Sequence, residues 1–196
     1  MVAAIVLAAG RSSRYGANKL LLPLAGEPLV RATVRIVLAS SVNEVLVVLG
    51  RDAPEVSEAL AGLGIREVLN SEFASGMSSS LRAGVRSLPP TAGAAVVVLA
   101  DQPTLRSESI NTIIDAWRSS GSSIVAPRFS GERGHPVLFD RRMFGELLTV
   151  SGDRGARDLI ASDPARVEVV ELPSAPPMDV DTPEDYRRLL RNLEAR

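Results

Sequence analysis

The chain has 196 residues, of which 22 are Lys or Arg and 23 are Asp or Glu, with one histidine and no cysteine. That length lets one domain bury its own core, and the missing cysteine excludes disulfides, thiolate zinc sites and thiol nucleophiles. A net charge of −1 with both signs interspersed excludes the basic footprint of a nucleic-acid binder and a polybasic membrane patch.

In chain order, the apolar start MVAAIVLAAG lacks a basic leader region and has about half the length of a membrane span. It is expected to form a buried first strand over residues 3–7 of a cytoplasmic protein. Further β-branched runs stand at 44–49, 66–69, 94–99, 123–126 and 167–172. The strongest are apolar at successive positions, the pattern of strands buried on both faces of a sheet. Amphipathic segments around 28–40, 54–62, 78–88, 107–119 and 155–162 alternate with them. Such alternation predicts βαβ units in an α/β fold, with one domain over residues 1–196 built on a doubly wound, mostly parallel sheet. Trp117 falls on one of these helical segments and reads as a core or interface residue. The last helix is predicted over 183–194, with Thr182 as N-cap, Pro183 in the first helical position, and Glu184 and Asp185 on the positive end of the macrodipole.

Ligands of open α/β sheets bind beyond the carboxyl ends of the strands, so the loops there hold the candidate chemistry. Val6 to Lys19, VLAAGRSSRYGANK, has glycines at 10 and 16, cations at 11, 14 and 19, and no acidic residue. It is not a P-loop, because Gly10 and Gly16 have five residues between them and Lys19 precedes Leu20; the G-x-G-x-x-G fingerprint fails at position 12. What remains is a small-residue loop able to turn its amides toward an anion, with Arg14 as a planar fork and Lys19 as a point charge. An ordinary strand-to-helix turn with solvated cations is the competing reading.

Asp101 follows an apolar run and precedes Gln102-Pro103, which turns the chain out of the sheet. Its carboxylate suits a hard cation, or else a turn. Asp179 and Asp181, two apart, project to one side if that segment is extended. Gly76 and Ser78 to Ser80 stand at a helix entrance, where serines serve as caps. His135, alone, cannot build a metal site. Arg154 and Arg157 in SGDRGARDL suit an anionic group or a solvated turn.

The motifs LAAGRSSRYGANKLL, GMSSSLRAGV, VVVLADQP, RGHPVLF, GDRGARDLI and DVDTPEDY follow in that order. Together they resemble the nucleotidyltransferases related to the molybdopterin guanylyl- and cytidylyltransferases over most of the chain. The ensemble is most similar to molybdenum cofactor cytidylyltransferases, which transfer CMP from CTP to the terminal phosphate of the molybdenum-bearing pterin and release pyrophosphate. The resemblance implies a Mg2+-dependent enzyme in which Leu7, Ala8, Ala9, Gly10, Ser12, Ser13, Arg14, Lys19, Gly76 and Ser80 bind the nucleotide. It implies catalysis by Arg14, Lys19 and Asp101, with Asp101 and Asp181 as metal ligands and Asp179 in reserve. Gly134, His135, Pro136, Gly152, Asp153 and Arg157 would line the acceptor side. Guanylyl members commonly read Leu-Ala-Gly-Gly where this chain has Ala9, which implies a pyrimidine. The implied partners are CTP, molybdenum-molybdopterin, and a molybdenum hydroxylase or its maturation chaperone. The alternatives are GTP or another phosphate acceptor, a non-catalytic cofactor-delivery protein, and a nicotinamide oxidoreductase.

Overall fold

The computed structural model describes residues 1–10 and 18–194. Its strands are β1 (Val2–Ala8), β2 (Pro23–Leu24), β3 (Glu27–Pro28), β4 (Glu44–Leu49), β5 (Arg66–Leu69), β6 (Ala94–Leu99), β7 (Ile124–Phe129), β8 (Glu132–Arg133), β9 (Val137–Asp140) and β10 (Val167–Leu172). The helices are α1 (Leu29–Leu38), α2 (Ala53–Leu60), α3 (Met77–Arg86), α4 (Ser107–Ser120), α5 (Phe144–Leu147), α6 (Arg157–Ser162) and α7 (Pro183–Glu194).

The main sheet runs β10-β7-β9-β6-β1-β4-β5, with the short β8 paired to β7, while β2 and β3 form a separate antiparallel pair. Neighbours β5, β4, β1 and β6 are parallel, as are β7 and β10. β9 is antiparallel to both β6 and β7. The sheet is therefore mostly parallel, as expected, with β9 and the short β8 reversed, neither of which the β-branched runs revealed.

Side chains alternate across the central strands. Val2, Ala4, Val6 and Ala8 pack on one face with residues of α1, α2, α4 and α7, whereas Ile5 and Ala9 pack on the other with α3 and α5. Covered faces on both sides explain the unbroken apolar runs of β1, β4 and β6 and make the fold doubly wound.

Local chemistry sets the helix ends. Gly121 takes a left-handed φ of 63° and its N–H bonds the Trp117 carbonyl, closing α4. At the start of α7, Thr182 Oγ1 accepts from the Asp185 N–H at 3.2 Å, and Asp185 Oδ2 accepts from the Thr182 N–H at 2.9 Å. This reciprocal cap confirms the predicted helix start. Trp117 packs against the core and donates its Nε1–H to Asp140 at 2.9 Å. Among the described residues, no helix is long and apolar enough to cross a membrane.

Candidate functional site

The carboxyl ends of β1 and β6 lie side by side, tied by the Ala100 N–H to the Leu7 carbonyl. Because β9 runs backwards, its amino end opens onto that same edge and brings Gly134 and His135 there. Several cavities open at this edge, and two of them hold the acidic candidates. The first, about 430 Å³, is lined by Leu7, Ala9, Gly10, Gly76, Ser80, Asp101 and Asp153, together with Phe73 and Met77. The second, about 740 Å³, is lined by Gln102, Gly134, His135, Arg157, Asp179 and Asp181, among others. Leu99 borders both cavities.

Between the cavities lies a charged cluster. Lys19 Nζ stands 2.5 Å from Asp101 Oδ2 and 2.7 Å from Asp181 Oδ1. Burial alone would lower the ammonium's pKa, but the two carboxylates outweigh it and hold it above the ordinary lysine value.

The late segment is extended and fastened to the sheet. The Val180 N–H bonds the Asp101 carbonyl at 3.1 Å, and the Met178 N–H bonds Thr104 Oγ1 at 2.7 Å. Val180 is fully buried, so Asp179 and Asp181 turn the other way, as their spacing predicts. They nonetheless have different partners. Asp181 joins Lys19, since Asp185 has taken over the capping of Thr182. Asp179 Oδ1 instead accepts from Gln102 Nε2 at 2.7 Å, and burial pushes its carboxyl above the usual range.

At the entrance of α3 the capping expectation for Ser78 and Ser79 fails. The N-cap is Gly76, at φ 96°, and it makes no side-chain cap bond. A Cβ there would lie 2.8 Å from the Gly152 carbonyl oxygen and against the Asp153 carboxylate, so only glycine lets the 152–155 loop close onto the helix. Ser78 is buried and gives its N–H to that Gly152 carbonyl, while Ser79 returns its hydroxyl to the Gly76 carbonyl. Asn70, to which the sequence reading gave no role, donates to both Ser79 Oγ and Ser80 Oγ. Its place nine and ten residues before them, in a serine-rich stretch, was the available signal.

The acceptor-side set divides. Gly134, His135 and Arg157 line the second cavity, with Pro136 buried beside them. Asp153 lines the first cavity instead, and Gly152 next to it is tied to α3 by the Ser78 N–H. His135 Nδ1 is buried with no hydrogen-bond partner among the described residues, and burial, aided by Arg157, lowers the ring's pKa so that it stays neutral. Arg154 pairs with Asp158 at 3.1 Å on the surface. Ala8 turns its side chain into the core, whereas Ala9 both packs there and lines the first cavity. Ser12, Ser13 and Arg14 lie outside the described residues.

Residues 4–168 match the family described as the MobA-like NTP transferase domain. The chain belongs to that family. Nicotine blue oxidoreductase of Paenarthrobacter nicotinovorans is 34% identical over 96% of both chains. A probable molybdenum cofactor guanylyltransferase of Thermococcus gammatolerans is 33% identical over 67% of this chain and 65% of its own. Among solved structures, Rv0371c of Mycobacterium tuberculosis H37Rv in complex with manganese superposes with a TM-score of 0.85 at 33% identity, covering 97% of this chain and 98% of its own. The fold and this membership make the chain a nucleotidyltransferase with molybdopterin-related relatives.

Proposed function

We propose that this chain transfers CMP from CTP to the terminal phosphate of molybdenum-molybdopterin, releasing pyrophosphate and forming the cytosine dinucleotide cofactor. One observation carries the reading: the Lys19, Asp101 and Asp181 cluster stands where a cavity bordered by the first loop meets a second cavity bordered by His135 and Arg157. That is the arrangement a group transfer between two anionic substrates requires. The first cavity takes the nucleotide and the second the acceptor.

A phosphate oxygen of the acceptor attacks the α-phosphorus, a new P–O bond forms, and the bond to the bridging oxygen breaks with its electron pair leaving on pyrophosphate. No protein nucleophile takes part; the chain supplies in-line positioning and charge neutralisation. Arg14 and Lys19 bind the triphosphate, with the Gly10, Ser12 and Ser13 backbone around it. Arg157 holds the acceptor phosphate, and neutral His135 forms part of the wall against the acceptor's ring system.

Asp101 and Asp181 would hold a magnesium ion. The donor set fits, since two hard carboxylates already converge on one cation, the Lys19 ammonium. Among the described residues no group of three or more His, Asp or Glu side chains could hold a metal, so such an ion would also need oxygen ligands from the substrate. Bound there, the ion supplies Lewis-acid neutralisation of the phosphates. The manganese complex of the Mycobacterium tuberculosis protein supports divalent metal use.

The test is incubation with CTP or GTP, magnesium and molybdenum cofactor, with pyrophosphate measured and the product identified by mass. A cytosine dinucleotide product is expected; equal turnover with GTP would refute the pyrimidine assignment. The product is expected to pass to a molybdenum hydroxylase or its maturation chaperone. A second reading, a redox activity, rests on the relative named nicotine blue oxidoreductase. NADH fluorescence on mixing tests it, and the missing G-x-G-x-x-G weighs against it.

A further inference from the structure

The geometry points to Asn70 as a positioning residue that fixes the hydrogen-bonding polarity of Ser80, so that Ser80 presents a proton to the nucleotide base. The inference rests on reading the first cavity as the nucleotide pocket, and it adds to that reading the kind of atom the base must offer.

Asn70 follows β5 and is almost fully buried, with its N–H bonded to the Leu49 carbonyl at 2.9 Å. Its Oδ1 accepts from the Glu72 N–H at 3.0 Å. A backbone N–H can only donate, so this bond decides which end of the side-chain amide is oxygen. The amino group therefore faces α3, and its two hydrogens go one each to Ser79 Oγ at 2.9 Å and Ser80 Oγ at 3.0 Å.

Both hydroxyls are thereby made acceptors from Asn70. Ser79 then discharges its own proton on the Gly76 carbonyl at 2.8 Å. Ser80 has no such outlet among the described residues, and it lines the first cavity. A buried hydroxyl proton without an acceptor is penalised, so the ligand that satisfies this wall brings an acceptor atom, such as a ring nitrogen or a carbonyl oxygen of a base. Cytosine presents both on adjacent positions of its pairing edge.

Titration of CTP with magnesium into the wild type, Asn70→Asp, Ser80→Ala and the double variant tests this. An ionised carboxylate only accepts, so in Asn70→Asp both serine protons turn toward it and Ser80 has none left to give. Asn70→Asp and Ser80→Ala are each expected to weaken CTP binding about tenfold or more. The double variant is expected to bind no more weakly than Ser80→Ala. The deficit of Asn70→Asp relative to wild type is also expected to shrink as pH falls, because a protonated carboxyl donates again. Losses that multiply in the double variant, with no recovery at low pH, would make Asn70 a merely structural residue and overturn the proposal.

If Asn70→Asp does not fold, Ser80→Ala against Ser79→Ala decides the matter. About tenfold for the first and at most about twofold for the second supports the proposal, and the reverse order overturns it. If the wild type binds GTP and not CTP, the cytidylyl reading fails, and the same variants titrated with GTP decide the role of Asn70.

Discussion

Replacing Asp101 by Asn removes one charge from a three-member cluster while keeping its shape. The Lys19 and Asp101 side chains are 11% and 20% exposed, and Asp181 is 49% exposed. Removing one partner of a buried ion pair costs ~3–5 kcal/mol. Here Asp181 still partners the ammonium and water reaches Asp101, so a loss of about 1–2 kcal/mol of stability is expected. For a chain of this size that lowers the melting temperature by about 2–8 °C. Domains hold roughly 5–15 kcal/mol in reserve, so the variant stays folded at 25 °C.

The effect on turnover is of another order. If Asp101 holds the proposed metal, loss of its carboxylate and of its charge at the phosphates removes about 4 kcal/mol of transition-state stabilisation, or roughly a thousandfold in rate. The assay is magnesium-dependent pyrophosphate release with CTP and molybdenum cofactor, run beside thermal melts of Asp101→Asn, Asp181→Asn and Asp179→Asn. Turnover of Asp101→Asn near that of wild type would refute the metal-site reasoning. If of the later pair only Asp179→Asn loses activity, then the choice of Asp181 over Asp179 is wrong, despite the pairing of Asp181 with Lys19.

Three further outcomes are expected. Gly76→Ala puts a side chain at φ 96° against the Gly152 carbonyl, so it should lose about 1–3 kcal/mol and weaken CTP binding, read by melting and titration. Asp140→Asn should lower stability at neutral pH. Burial would raise the Asp140 carboxyl's pKa, but hydrogen bonds from Arg142 and Trp117 hold it below the usual value of 3.8. Its folded pKa lies under its unfolded one, so its contribution is full above 3.8 and fades as pH falls through the folded value. The melting curves of wild type and variant should therefore converge in acid. Arg157→Ala should raise KM for the molybdenum cofactor and leave CTP affinity within about twofold, since its side chain lines the second cavity and not the first.

The sequence alone determined the strands at 44–49, 66–69, 94–99 and 167–172, each of which forms with those bounds, and the helix over 183–194 with its Thr182 cap. Those features are local: β-branched runs, side-chain period and cap chemistry act within a few residues. Several residues that line the first cavity stood out in the sequence as well, because Gly10, Gly76 and Asp101 stand in motifs at strand and helix ends. Tertiary structure alone placed Val137–Asp140 antiparallel between β6 and β7. A four-residue apolar run carries no mark of its direction; pairing on both sides decides it, and with it the arrival of His135 at the ligand edge. The motifs had put Lys19, Asp101 and Asp181 at one site, but the direct pairing of the ammonium with both carboxylates was hidden, since its bonds span 82 and 162 residues of chain and exist only once β1, β6 and the segment before α7 are assembled. The role of Asn70 belongs to the same class. An asparagine's partners are chosen by what the fold brings against its amide, and here that was the first turn of α3.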